Sequence, residues 1–243
     1  MSLSADDRIY LIRVKIERAK KHLLDVEREV LVFRDKQRHV VFSDADFAPG
    51  KFSAPIHDVH VVRILTFNIL CGAGDVIQNL RTALDHLANH LVAVAGKPPT
   101  RRIEFPIAKD STTYERDKAA KVEGMRPEAV EAIDRLKPYK GGNDLLWKIH
   151  ELNNIDKHRM VFTIDNDAIM EDDWLPPGGY AVRTGNPTFA SVFDDEIEKN
   201  VEFEIDEAIS KSQIVQGDAL LPTLHQMIDF VEGLVFSFEP LLK

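Results

Sequence analysis

A chain of 243 residues with 44% hydrophobic content and a formal net charge of −9 can enclose a sizeable core in one domain. Its apolar runs fall short of the ~18 to 20 uninterrupted residues a bilayer span needs, and its start lacks a basic-then-apolar secretory pattern. Cys71 is the sole cysteine, which excludes an intramolecular disulfide and a cysteine-rich metal cluster and suits a reducing compartment. A cytoplasmic protein with no membrane partner is therefore expected. The charge is unevenly spread. Residues 1–160 carry 27 Lys and Arg against 23 Asp and Glu, whereas residues 161–243 carry 4 against 17. A basic-leaning front beside an acidic back fits either a nucleic-acid face next to a repelling one or a solvated acidic surface.

In chain order, Ile9, Ile12, Ile16, Ala19, Leu23, Val26, Val30 and Phe33 recur at alternating intervals of three and four, which predicts a long helix over about 5–36. Its length and unbroken seam predict a homodimer through the first helix, with the contact near Val30 and Phe33. His39–Phe42 and Val59–Phe67 are β-branched or alternating and read as a strand ribbon. Ile77, Leu80, Leu84, Leu87, Leu91 and Val94 mark a second helix over roughly 73–95, closed by Gly96 and Pro98-Pro99. Shorter helices are expected at Pro127–Leu136, with proline in the first turn, and from Asn143 to about His158. Met160–Ile164, Tyr180–Val182, Val201–Ile205 and Gln213–Val215 read as strands between turn-rich stretches, and Leu221, Leu224, Ile228, Val231, Val235, Phe238 and Leu242 mark a last helix over 219–242. The expected fold is α+β, mainly α. It is one domain over 1–243, a bundle of four to five helices with a small antiparallel β-sheet from strands near 38–67 and 160–215.

Two segments carry chemistry. On the second helix Asp75, Gln78, Asn79, Thr82, His86, Asn89 and His90 share one face opposite the leucine seam, while Arg81 and Asp85 stand four residues apart on a flank. A solvated helix face is usually filled by Lys and Glu, and this one has neither, which suits a partly enclosed polar site as well as a wet face with an Arg81–Asp85 ion pair. In the second segment, Leu145, Ile149 and Leu152 define a buried side that Asn153 and Asp156 approach. Asp156 with Arg81, or Asn153 with a backbone carbonyl, would then brace two helices. His150 lies off that seam. Lys157, His158 and Arg159 form a basic cluster at a helix C-terminus, where the dipole favours cations and where a phosphate could also bind.

These segments resemble a widespread group of uncharacterised bacterial proteins marked by G-D-x-x-x-N-L-R-x-x-L-D-H, here Gly74 to His86, and by N-N-x-D-K-H-R, here Asn153 to Arg159. That resemblance implies no activity. Arg81 and His86 are also similar to the R-x4-H pattern of the HEPN superfamily, helical-bundle proteins of bacterial defence and toxin systems, many of them metal-independent RNases. This likeness implies RNA as partner, His86 as the acid/base at the ribose 2'-hydroxyl, Arg81 as the cation stabilising the phosphorane, and a dimer building the composite site. Thr82 departs from the Asn, Asp or His commoner after the arginine.

A competing enzyme reading gathers His86, His90, His150, His158 and Asp85 around a metal inside the bundle, as in DinB-like hydrolases. No H-E-x-x-H or paired Glu-x-x-His supports it, so no metal ligand and no cofactor is assigned. Cys71 reads as a small buried residue. The function expected is a binding or accessory protein with candidate binding residues Asn79, Asp85, His90, His150, Asn153, Asp156, Lys157, His158 and Arg159. The alternatives are a HEPN-like RNase using Arg81 and His86, and a metal-dependent hydrolase.

Overall fold

The computed structural model describes residues 4–38, 56–157 and 220–243, with side chains over 4–32, 67–157 and 220–243. Six α-helices occupy these stretches: α1 (Ala5–Arg38), α2 (Ile56–Val94), α3 (Ser111–Lys121), α4 (Pro127–Leu136), α5 (Asp144–Asp156) and α6 (Leu220–Phe238), the last continued by a 3-10 turn, Glu239–Leu242. The expected helices are all present, and α3 is an addition. No strand occurs among the described residues, where an isolated parallel bridge joins Ala108 to Tyr139. The small sheet therefore has no support, and the fold is mainly helical. Val59–Phe67, expected as a strand, lies within α2. His39–Phe42 and the expected strands at 160–215 lie outside the described residues.

The physical reason for the error over Val59–Phe67 is the pair Gly72 and Gly74. Mid-helix glycine costs about 1 kcal/mol relative to alanine, so the pair reads as a helix start. Here both serve close packing instead. A Cβ on Gly72 would stand 2.6 Å from Val26 Cγ2, and one on Gly74 would stand 2.5 Å from Asp156 Oδ1. Tertiary contact overrides propensity, and α2 runs through.

The helix ends follow capping chemistry. Ser4 and Asp7 cap α1 reciprocally, the Ser4 hydroxyl accepting from the Asp7 N–H and the Asp7 carboxylate accepting from the Ser4 N–H, both at 3.1 Å. Asp110 accepts from the Thr113 N–H at 2.7 Å to start α3, and Asn143 accepts from the Leu146 N–H at 3.1 Å to start α5. Pro127 opens α4, and Lys137 ends it in the left-handed region at φ 50°.

Packing resolves two units. The first comprises Met1–Leu23, Gly74–Arg159 and Leu224–Lys243. Within it α1 and α2 are antiparallel, since His22 stands beside Asp75, Lys15 beside His86 and Arg8 beside His90. α6 is antiparallel to α1 as well: Lys20 pairs with Glu232 at 2.7 Å, Arg13 pairs with Glu239, and Arg8 reaches the Leu242 carbonyl at 3.4 Å. The apolar stripes of all three are buried, with Ile12, Ile16, Leu80, Leu84, Leu87, Leu224 and Val231 at 1% exposure or less.

The second unit comprises Leu24–Ala73 and Met160–Thr223. Its described core includes Val26, Val30, Ile69, Leu70 and Ala73. Val30, where sequence places a dimer contact, is buried within one chain, while Leu31 and Val32 beside it are exposed; the Phe33 side chain lies outside the described residues. Cys71, expected to be buried, is exposed. Among the described residues no helix is long and apolar enough to cross a membrane.

Leu84 has no exposed surface. Leu84→Asp buries an uncompensated carboxylate at a cost of several kcal/mol, against a whole-domain stability of ~5 to 15 kcal/mol. Thermal unfolding followed by circular dichroism should show no cooperative transition for this variant; wild-type melting would contradict the core position given to α2.

Candidate functional site

The site is built on α2 around Arg81, whose side chain is 4% exposed. One guanidinium nitrogen, Nη2, donates to the Phe105 carbonyl at 3.0 Å and stands 3.0 Å from Asp85 Oδ1. Asp85 Oδ1 also accepts from the Phe105 N–H at 2.9 Å. An i,i+4 pair on one helix thus bonds both backbone polar groups of Phe105, whose carbonyl also accepts from the Ile107 N–H at 2.9 Å. Asn89, one turn on, donates to the Asp85 carbonyl at 2.8 Å and reaches the Ile103 carbonyl at 3.5 Å. Held in this way, the segment Ile103–Ala108 buries Ile103, Phe105 and Ile107, and the Phe105 ring meets Phe238 edge-on at 6.5 Å between centroids.

Against the same stretch of α2 lies α5, antiparallel. Its C-terminal Asp156 presses on Gly74, and its His150, six residues earlier, lies in the field of Arg81, seven residues later on α2. Asn153 falls midway and is 1% exposed, on the side of α5 that also buries Leu146, Ile149 and Leu152. The two motif-bearing segments are therefore packed together. Sequence gave no hint of two further members. Glu104 Oε2 stands 3.8 Å from Arg81 Nη2, and Lys121 Nζ lies 2.6 Å from Glu104 Oε1.

The polar groups at this junction are incompletely paired. Arg81 Nη1, His150 Nδ1 and both amide atoms of Asn153 are buried with no hydrogen-bond partner among the described residues. Neither expected brace forms: Arg81 takes Asp85 instead of Asp156, and Asn153 bonds no carbonyl. His150 Nε2 faces the Asn154 amide nitrogen at 3.1 Å. A ring that accepts there when neutral carries its proton on Nδ1, which is then a buried N–H donor without an acceptor.

Burial is the largest influence on the titrating groups at this site. Burial, followed by the charges of Arg81 and Lys121, pushes His150 down to about 4, with Glu104 opposing and Lys157 contributing. Burial raises Asp85 against the pull of Arg81 and Lys157. Glu104 resists burial and is held below the usual carboxylate range by Lys121 and Arg81. Asp156 is raised by burial and by Asp75 beside it.

The remaining candidates lie elsewhere. His86 turns toward α1, beside Lys15 and the Leu11 backbone, and burial lowers its pKa; His90 is lowered by burial and by His86 and Arg8. Asn79 is half-buried, and its amide donates to the Asp75 carbonyl one turn back at 2.8 Å. Arg81 and His86, paired by their spacing, thus serve different neighbours within one chain. Lys157 is exposed at the end of α5, and His158 and Arg159 lie outside the described residues. Among the described residues no three His, Cys, Asp or Glu side chains come together as a metal-binding group.

His150 fixes a pH dependence. Its ordinary value is 6.5 and its folded value about 4, so the unfolded chain takes up the proton first. The stability tied to its neutral form is present above pH 6.5 and is lost as pH falls from 6.5 to about 4. The loss amounts to roughly 3 kcal/mol at about 1.4 kcal/mol per pH unit. His86 and His90 act in the same direction, and the raised carboxyls Asp85 and Asp156 in the opposite one, so the difference between wild type and His150→Gln isolates His150. Wild type should lose more stability than the variant between pH 7 and pH 4.5 in urea titrations. Parallel losses would contradict the burial of His150. Comparison with family models, with curated proteins and with solved structures finds no match for this chain.

Proposed function

We propose that this chain is a binding protein whose recognition site is the α2–α5 junction, at Arg81, His150 and Asn153. The observation that carries this is the buried, unpartnered amide of Asn153, with Arg81 Nη1 and His150 Nδ1 also buried and unpartnered on the two helices that meet here. Each buried polar atom without a partner costs about 1 to 3 kcal/mol. Four such atoms cost as much as many domains hold in reserve. A fold under selection for stability alone would place leucine at position 153, in line with Leu146, Ile149 and Leu152. A ligand that completes these bonds recovers the cost on binding, and this supports recognition as the role of the site.

Metal-independent RNA cleavage has less support. It needs Arg81 and His86 presented to one phosphodiester in an open cleft. Arg81 is instead buried and committed to Phe105 and Asp85, while His86 packs beside α1. A hydrolase metal in the bundle would need His86 and His90 directed toward His150, whereas they lie beside Lys15 and Arg8.

The test is Asn153→Leu, which removes the unpartnered amide and fills its space with apolar atoms. The unliganded variant should melt higher than wild type by about 4 °C or more, since ~1 kcal/mol corresponds to a few degrees for a domain of this size. A variant that melts lower by a similar amount would make Asn153 a structural residue and remove the basis for a site here.

A further inference from the structure

We propose that the depression formed by the turn before Ile103 and by α3 binds a phosphomonoester, held by the guanidinium groups of Arg101 and Arg102. It is a second site, and it does not rest on the reading given for the α2–α5 junction. Sequence sets the charge first. Residues 86–103 contain no Asp or Glu, while Lys97, Arg101 and Arg102 fall among them, in a chain that holds 40 acids against 31 bases. A chain with acid in excess has carboxylates to spare for ion pairs, and this stretch has none.

The fold sets these cations against α3. A depression of about 450 Å³ is lined by Arg101, Arg102 and Glu104 and by Arg116, Asp117 and Lys121 of α3. Its carboxylate oxygens are already claimed. Arg116 holds both oxygens of Asp117, at 2.6 and 2.8 Å; Glu104 Oε1 faces Lys121 Nζ at 2.6 Å, and Glu104 Oε2 stands 3.8 Å from Arg81 Nη2. The side chains of Arg101 and Arg102 are exposed, and among the described residues they make neither an ion pair nor a hydrogen bond. Two cations are therefore left uncompensated in one depression, and they draw anions to it.

The backbone beneath them is fixed. The Ile103 N–H donates to the Thr100 carbonyl at 3.2 Å and closes a turn with both arginines at its centre, and the Arg102 N–H donates to the Thr100 hydroxyl at 3.4 Å. Ile103 itself is buried, and Phe105 two residues on is bonded to Asp85 and Arg81. Positions held in this way present a ligand with donors on a rigid base. The count of acceptors then selects the anion. One guanidinium fork takes two oxygens. A carboxylate or a phosphodiester shares a single negative charge over two oxygens, which one fork satisfies. A phosphomonoester has three terminal oxygens and a charge of about −1.5 to −2 at pH 7, enough for two forks and for both uncompensated cations.

The experiment titrates the full chain by calorimetry at pH 7 and constant ionic strength. Glycerol 3-phosphate and N-acetyl-phosphoserine amide are the monoester probes, and dimethyl phosphate and acetate are the controls that fill one fork. Both monoesters should bind saturably, about tenfold or more tighter than either control, and the tighter of the two names the carrier as a small phosphorylated molecule or a phosphorylated side chain. Arg101→Gln combined with Arg102→Gln should weaken them by about tenfold or more, the loss expected for hydrogen bonds to a charged group, and leave the melting temperature within about 2 °C of wild type. Arg101→Lys combined with Arg102→Lys keeps the charge without the forks and should recover only part of that loss. Asn153→Leu should bind as wild type does, so the two sites stand or fall separately. Dimethyl phosphate binding as tightly as the monoesters, or the lysine pair binding as wild type does, would reduce the depression to a diffuse positive field and overturn the assignment. Monoester binding that disappears in Asn153→Leu, or that is absent from wild type, would overturn it as well.

Discussion

The bidentate hold of Arg81 and Asp85 on the backbone of Phe105 is the constraint on which the described site depends. With no strand beside it, the buried Phe105 has an N–H that would lack a partner, and such a group is costly. Asp85 of the α2 ion pair accepts from that N–H, and Arg81 adds a second donor to the Phe105 carbonyl beside the Ile107 N–H. That fixes Phe105 against Phe238 and so links the segment to α6, and it brings Glu104 beside Arg81. It also holds the guanidinium, with Nη2 committed to protein and Nη1 buried without a partner among the described residues. One arginine therefore both closes the core and shapes the polar junction.

The long helices were legible because their apolar stripes repeat every three to four residues over many turns, a signal that chance rarely sustains. Pro127 and Asn143 gave the starts of the short helices to within a residue, since each sits where its chemistry is needed. The N-terminal half of α2 was misread because Val59–Phe67 is a short apolar β-branched run, ambiguous by itself, followed by two glycines whose purpose is contact with Val26 and Asp156. That contact is tertiary and leaves no local signature. α3 was missed because it buries only Tyr114 and so has almost no stripe to detect.

The candidate site was legible in part. The absence of Lys and Glu from the polar face of α2 pointed to partial enclosure; Asn79, Thr82, His86, Asn89 and His90 are half-buried, while Asp75 and Gln78 on the same face are exposed. The ion pair of Arg81 with Asp85 follows from spacing. What spacing could not give is direction: Arg81 and His86 are five residues apart, about 140° around the helix, and face separate partners. Glu104, Lys121 and Phe105 were invisible because a loop residue acquires its role only when the chain folds back, and the side-chain pairs involved are 17 to 24 positions apart in sequence.

Arg81 as a brace, with its charge used inside the protein, is tested most directly by a double-mutant cycle of Arg81→Met and Asp85→Asn, with stability read by urea unfolding. Arg81→Met should cost about 3 kcal/mol by leaving the part-buried Asp85 carboxylate without its countercharge, and it should couple to Asp85→Asn by ~1 kcal/mol or more. An Arg81→Met variant as stable as wild type, with no coupling to Asp85, would contradict the account and return Arg81 to the role of an unburdened surface cation.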